Sequence, residues 1–273
     1  MTTLASTRTS GADTIRQIAV AVSAVIAVVG SFVGSGAAGG TPIAEAAGGA
    51  LSASSTQVAP GGPAFSIWSV IYAGLIAYAI WQLLPAQRSA ERHRVLGYPV
   101  ALSLLLNAAW ILSIQFDALP LSVPIIVALL AVLVWAFFRA LAHRPTGTVD
   151  AVLTDGTIGL YLGWVSVATI ANTAALLTAA GFDGLGIAPE IWGAALALVA
   201  GVVGVLLAIR GRGRIAPMLS LCWGLAWIAI ARFTGPLFSE PTAWAALIAV
   251  VAVVAVTLVV RSRAGWTSTA ARS

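Results

Sequence analysis

Lysine is absent from these 273 residues, cysteine occurs once, histidine twice, and only 8% of the chain is charged. The single Cys222 excludes an intrachain disulfide, and two histidines with one cysteine cannot build a zinc cluster. No nucleophile and base fall into a recognisable catalytic spacing, and no glycine-rich stretch reads as a phosphate cradle, so enzymatic turnover is not expected. With 60% apolar residues and a mean hydropathy of +0.99, polar surface is too scarce to cover a soluble globule of this length. The fold class this leaves is all-α: a polytopic membrane helix bundle whose first partner is the lipid bilayer.

A hydrocarbon core about 30 Å thick is crossed by about 20 apolar residues of helix, and the chain offers eight such runs, near 15–36, 64–84, 96–116, 121–142, 154–178, 189–209, 215–233 and 242–261. The joints between them, such as "PAQRSAERHR", "HRPTGTVD" and "RGRGR", are polar or carry Pro and Gly, as chain reversals outside lipid require. Arginine orients the bundle, because Lys and Arg accumulate in cytoplasmic loops. Thirteen of the 14 arginines fall on one side: Arg8 and Arg16 before run 1, then groups after runs 2, 4, 6 and 8 ending at Arg272. The exception is Arg232, at the end of run 7, while the opposite loops hold Glu45, Asp117, Asp183, Glu190 and Glu240. Both termini are therefore expected to be cytoplasmic in a multi-pass protein of the cell membrane. The net charge of +5 follows from this topology, and no clustered basic face points to nucleic acid.

The first run is too long for the roughly 7–15-residue apolar region of a signal peptide, so helix 1 is expected to be retained. Gly30 and Gly34 in "GSFVG" stand at a helix-packing spacing. Residues 37–62 form the one long outer loop, where Thr41, Pro42 and Glu45 read as the start of a short surface helix. An internal repeat also shows: at an offset of 117, residues 102–134 and 219–251 agree at 12 of 33 positions, Trp110/Trp227, Phe116/Phe233 and Pro124/Pro241 among them. At 124, Ile67-Trp68 aligns with Ile191-Trp192, so helices 2 to 4 are echoed by helices 6 to 8.

Polar and aromatic residues sharing one helix face at membrane depth are the candidates for function. Phe65, Trp68 and Tyr72 lie at i, i+3 and i+7 on helix 2, Asn107 and Trp110 one turn apart on helix 3, and Tyr161, Trp164, Ala168 and Asn172 in one stripe on helix 5 with Thr169 beside it. Gly159 and Gly163 take the opposite side of helix 5, for close packing on a neighbour. Two bland readings stand beside the functional one. Trp81, Trp135, Trp192, Trp244 and Trp266 read as interfacial belt residues, a reading also open to Trp68 and Tyr161, and either Asn can serve an interhelical hydrogen bond of about 0.6 kcal/mol. Both histidines, His93 and His143, fall in expected cytoplasmic loops, and Asp155 in "TDG" reads as a helix cap.

"FSIWSVIY" (65–72), "LNAAW" (106–110) and above all "YLGWVSVATIAN" (161–172) resemble the corresponding helices of the TspO/MBR family, the tryptophan-rich sensory proteins related to the mitochondrial translocator protein. The resemblance covers 15–178 and implies a five-helix bundle that binds porphyrins, sterols or aromatic drug-like ligands. It places Trp68, Tyr72, Asn107, Trp110, Trp164, Ala168 and Asn172 in the pocket wall, with the loop 37–62 as its lid. Helix 2 departs from the family pattern in "PGGPAFSIW". Only Trp164 has a counterpart among the two tryptophans proposed for porphyrin breakdown in bacterial members, which argues against that activity here. Residues 179–261 would then be three additional helices, with cytoplasmic tails at 1–14 and 262–273. The resulting expectation is a sensor, regulator or carrier that binds a flat hydrophobic small molecule such as a tetrapyrrole. With no buried histidine for haem iron, such a ligand is held by packing and hydrogen bonds, with no covalently bound cofactor. The open alternatives are a four-plus-four secondary transporter, which usually has midplane carboxylates, and a structural membrane protein without a ligand; a homodimer is a further partner state open to the chain.

Overall fold

The computed structural model describes residues 10–36 and 39–270, with side chains described as far as residue 264. Eight of its helices are long and apolar enough to cross a membrane: α1 (Gly11–Gly34), α2 (Gly62–Trp81), α3 (Glu91–Gln115), α4 (Leu119–Ala142), α5 (Thr148–Ala179), α6 (Pro189–Arg210), α7 (Ile215–Thr234) and α8 (Glu240–Ala264). Even the shortest, at 20 residues, spans about 30 Å at 1.5 Å per residue. Among the described residues there is no strand. The bundle is thus all-helical, as the hydropathy pattern predicts.

Several boundaries differ from the expected ones, each for a local reason. Helix α1 begins at Gly11 rather than 15, because the Asp13 carboxylate accepts the Ser10 N–H at 3.0 Å and closes the first turn. The backbone of α8 stays helical to Ala270, through most of the expected tail at 262–273. Arg8, Arg272 and the Trp266 side chain lie outside the described residues. The helix expected from Thr41 stays rudimentary: the Glu45 and Ala46 N–H groups donate to the Pro42 carbonyl, but Ala47, Gly48 and Gly49 then take φ of 50°, 66° and 77°, so the winding ends in a three-residue 3-10 turn at Ala47–Gly49.

The helices pack in a chain of neighbours: α1 on α3, α3 on α4, α4 on α5, α5 on α7, α7 on α8 and α8 on α6. Small residues make the close approaches. A Cβ added at Gly30 would meet Ala108 at 3.2 Å and one at Gly34 would meet Ile111 at 2.9 Å, while one at Gly159 would meet Ala216 at 2.8 Å. The two faces of α5 divide as its sequence implies, glycines toward α7 and aromatics toward α2. Helix α2 packs on α1 and α5, and its backbone stands off from α3 and α4. Helix α6, in contrast, closes tightly on α8, where a Cβ at Gly201 would lie 2.6 Å from that of Ala249. The space left open beside α2 is where the candidate site lies.

The arginine-rich end of the bundle is sealed by charge pairs instead. The residues "ERHR" are the first turn of α3 and not a loop, and both Arg92 and His93 are buried. Arg92 pairs with Asp155 and, at 3.3 Å, with Asp150, and it donates to the His143 carbonyl. Asp155 is no cap: it sits in a wide turn of α5, Ala151–Gly156, and binds Arg214 at 2.7 Å as well. These partners lie in α3, α5 and the start of α7, so the network ties both halves of the chain together. On the α1 side, Arg94 grips Asp13 with two hydrogen bonds of 2.7 Å, and Gln17 and Gln82 exchange hydrogen bonds between α1 and α2.

Candidate ligand-binding site

Helix α2 enters the bundle as a tight 3-10 turn, Gly62–Ser66, with Pro63 in its first turn, and winds as an α-helix only from Ile67. Phe65, Trp68 and Tyr72 therefore share one half-buried face. Trp68 is the centre of an aromatic cluster: its ring stands 5.6 Å from Tyr72, 5.8 Å from Tyr161 and 6.3 Å from Trp164, while Phe65 meets Trp164 edge-on at 5.8 Å. Such edge and tilted contacts add about 0.5–1.5 kcal/mol each beyond area burial. Three of the four join α2 to α5.

Two spaces flank this cluster. The larger, about 660 Å³, lies between α1, α2 and α3 under the α1–α2 loop, and its wall includes Ser31, Leu51, Phe65, Trp68, Tyr72, Asn107 and Trp110. The smaller, about 40 Å³, lies deeper, against Trp164, Ala168 and Asn172 of α5 and Ile126 and Leu129 of α4. Leu51, Phe65, Trp68, Asn107 and Trp110 border both. The deep chamber has room for a few waters at most. Of the two, only the outer cavity has the volume of a small-molecule site.

The sequence-selected residues thus fall into three groups. Phe65, Trp68, Tyr72, Asn107 and Trp110 line the outer cavity, whereas Trp164, Ala168 and Asn172 line the deep chamber. Tyr161 and Thr169 border neither: Tyr161 donates to the Ser103 carbonyl, and Thr169 to that of Val165 within its own helix.

The polar groups around the cavity are few and connected. The Tyr72 hydroxyl accepts from Asn107 Nδ2 and shares a hydrogen bond with Ser31 Oγ. The Trp110 indole donates to Asn172 Oδ1 at 3.3 Å, and Asn172 Nδ2 donates to Ser122 Oγ at 2.9 Å, which in turn donates to the Leu119 carbonyl. Both asparagines therefore cross-link helices, as the bland reading holds, while also bordering the spaces. The buried Trp164 Nε1 has no partner, so the deep wall presents an unused donor.

Sequence reasoning missed Ser31, although it lies between the two packing glycines of "GSFVG". A small polar residue inside a close-packed interface is itself a signal. The loop residues that roof the cavity carry no pattern of their own, and only their position between α1 and α2 marks them.

Fold and site together define a multi-pass membrane helix bundle with an aromatic, loop-covered cavity at one end. The chain belongs to the TSPO-like protein family, whose sequence model matches residues 19–260 and so runs on through α6, α7 and most of α8. No curated protein and no solved structure matches it significantly.

Proposed function

We propose that this membrane protein binds a flat, hydrophobic small molecule, of the tetrapyrrole or sterol kind, in the outer cavity, and acts as its sensor, regulator or carrier rather than turning it over. The arginine-rich end faces the cytoplasm and the loop 37–62 serves as an outer lid. The observation that carries this reading is the cavity itself. Its volume of about 660 Å³ falls within the range of roughly 300–1,000 Å³ typical of small-molecule sites. Its aromatic walls offer large apolar area with few rotors to freeze, and Tyr72, Asn107 and Ser31 supply the small polar set that fixes orientation. The cavity is also bordered by the exposed Phe32 and Ile76 of α1 and α2, so a lipid-soluble molecule can enter from the bilayer between them.

Protoporphyrin IX titrated into the purified protein in lipid nanodiscs, read by its own fluorescence, tests this. Saturable binding is expected. The double variant Trp68→Leu, Trp110→Leu, which loses two stacking walls at about 0.5–1.5 kcal/mol each, is expected to bind roughly tenfold more weakly. Equal affinity of the two proteins, or no saturable binding by either, would overturn the reading.

A further inference from the structure

We infer that Arg232 is a positioning residue for the cavity, through which helices α6 to α8 clamp the α1–α2 loop over it. This inference rests on the ligand-binding reading only for what the clamp is for; the clamp itself stands on geometry. Among the described residues Arg232 is the one arginine at the loop end of the bundle, in the last turn of α7, and it is 0% exposed. Among the described residues it forms no ion pair. Its Nη1 and Nη2 donate instead to two loop carbonyls, those of Thr56 at 2.9 Å and Ala53 at 2.7 Å, and its Nε has no partner. A buried guanidinium without a carboxylate relies on these acceptors and on the negative end of the α7 dipole. Lifting the loop away breaks both charge-assisted hydrogen bonds, so the loop is held down by the cost of losing them.

The same contact surface continues from Arg232 toward the start of α2. The Gly61 N–H donates to the Trp227 carbonyl at 3.2 Å, and the Trp223 indole donates to that of Ala64 at 2.9 Å, which fixes the entry of α2. Val58 is buried in the apolar core formed by α6, α7 and α8. Ala53 itself borders the outer cavity, and Ser55, Ala59 and Pro60, between these anchors, border the deep chamber. The repeat gives the arrangement a counterpart, because at the offset of 117 Arg232 corresponds to Gln115 of α3. With its amide oxygen accepting from the Thr41 N–H, Gln115 donates to the carbonyls of Gly34 and Thr41 at 3.1 Å. One register position in each half therefore holds one end of the loop, and α6 to α8 serve the site without lining it.

The test reads loop opening without any ligand. In a Cys222→Ala background, Ser55→Cys places a thiol in the clamped segment, and its rate of labelling by a water-soluble maleimide is measured in nanodiscs. Arg232→Met, which removes both donors and the buried charge at similar volume, is expected to raise that rate about tenfold or more, since two charge-assisted hydrogen bonds are lost. Arg232→Lys, which keeps a donor, is expected to fall between. Trp223→Phe removes a donor without touching the charge and is expected to give a severalfold rise, which keeps the test open if Arg232→Met does not fold. Faster labelling together with faster protoporphyrin dissociation supports both the clamp and the ligand site. Faster labelling in variants of a protein that binds no porphyrin supports the clamp and overturns the ligand reading alone. Labelling at the wild-type rate in folded Arg232 and Trp223 variants overturns the clamp, whatever the ligand does.

Discussion

Replacing Arg92 with leucine is expected to destabilise the protein by about 3–5 kcal/mol, the cost of removing one partner from a buried ion pair. The side chain of Arg92 is 5% exposed and those of Asp150 and Asp155 are 2% and 9% exposed, so water cannot take over its role. The two carboxylates are affected unequally. Asp155 retains Arg214 at 2.7 Å, whereas Asp150 keeps only the Thr146 N–H and the hydroxyls of Thr146 and Thr154. Asp150 is therefore the orphaned charge. Adding Asp150→Asn to Arg92→Leu removes that charge while leaving an oxygen for the threonines, and is expected to recover about half of the loss. Unfolding midpoints in mixed detergent check both values. A loss under about 1 kcal/mol for Arg92→Leu would mean that the network behaves as a solvated surface pair.

Gly163→Val is expected to cost about 3 kcal/mol, the upper part of the range for overpacking, and to separate α5 from α7. Any Cβ at this position lands on the Pro217 carbonyl oxygen and on Ser220 Oγ. A serine rotamer can turn aside, but a helix carbonyl cannot. One turn along, Val167 sits against Gly224, where a Cβ would meet it at 3.0 Å, so the strain is not relieved by sliding. The neighbouring Trp164, 1% exposed, should move toward a wetter environment, visible as a red shift of indole emission. Gly156→Ala is the matched control: its Cβ would meet nothing nearer than 3.8 Å, and it is expected to be neutral or slightly stabilising. Thermal unfolding of the two variants side by side gives the comparison.

The membrane architecture was legible because lipid permits so few solutions. Apolar runs long enough to cross, with arginine-bearing joints between them, leave helices as the only economical reading. Gly30 with Gly34 and Gly159 with Gly163 also announced their packing faces, since spacing alone decides which neighbours a backbone can approach. The charged seal was not legible. Hydropathy scores each residue by itself, so "ERHR" read as loop, and nothing local shows that Asp150 and Asp155, about 60 positions away, stand opposite Arg92. Arg232 was visible as the one arginine against the topological trend, but its acceptors are backbone carbonyls, which have no sequence signature. The aromatic stripe on α5 was found, yet its separation from the open cavity depends on how far α2 stands off from α3 and α4, a tertiary distance that no local spacing in the sequence encodes.

A structure of the protein in lipid with protoporphyrin bound decides where the ligand sits. Density for the macrocycle is expected between α1, α2 and α3, stacked on Trp68 and Trp110 beneath residues 51–60, with a polar substituent within hydrogen-bond distance of Ser31, Tyr72 or Asn107. Macrocycle density elsewhere on the bundle, with this space closed by its own side chains, would contradict that placement.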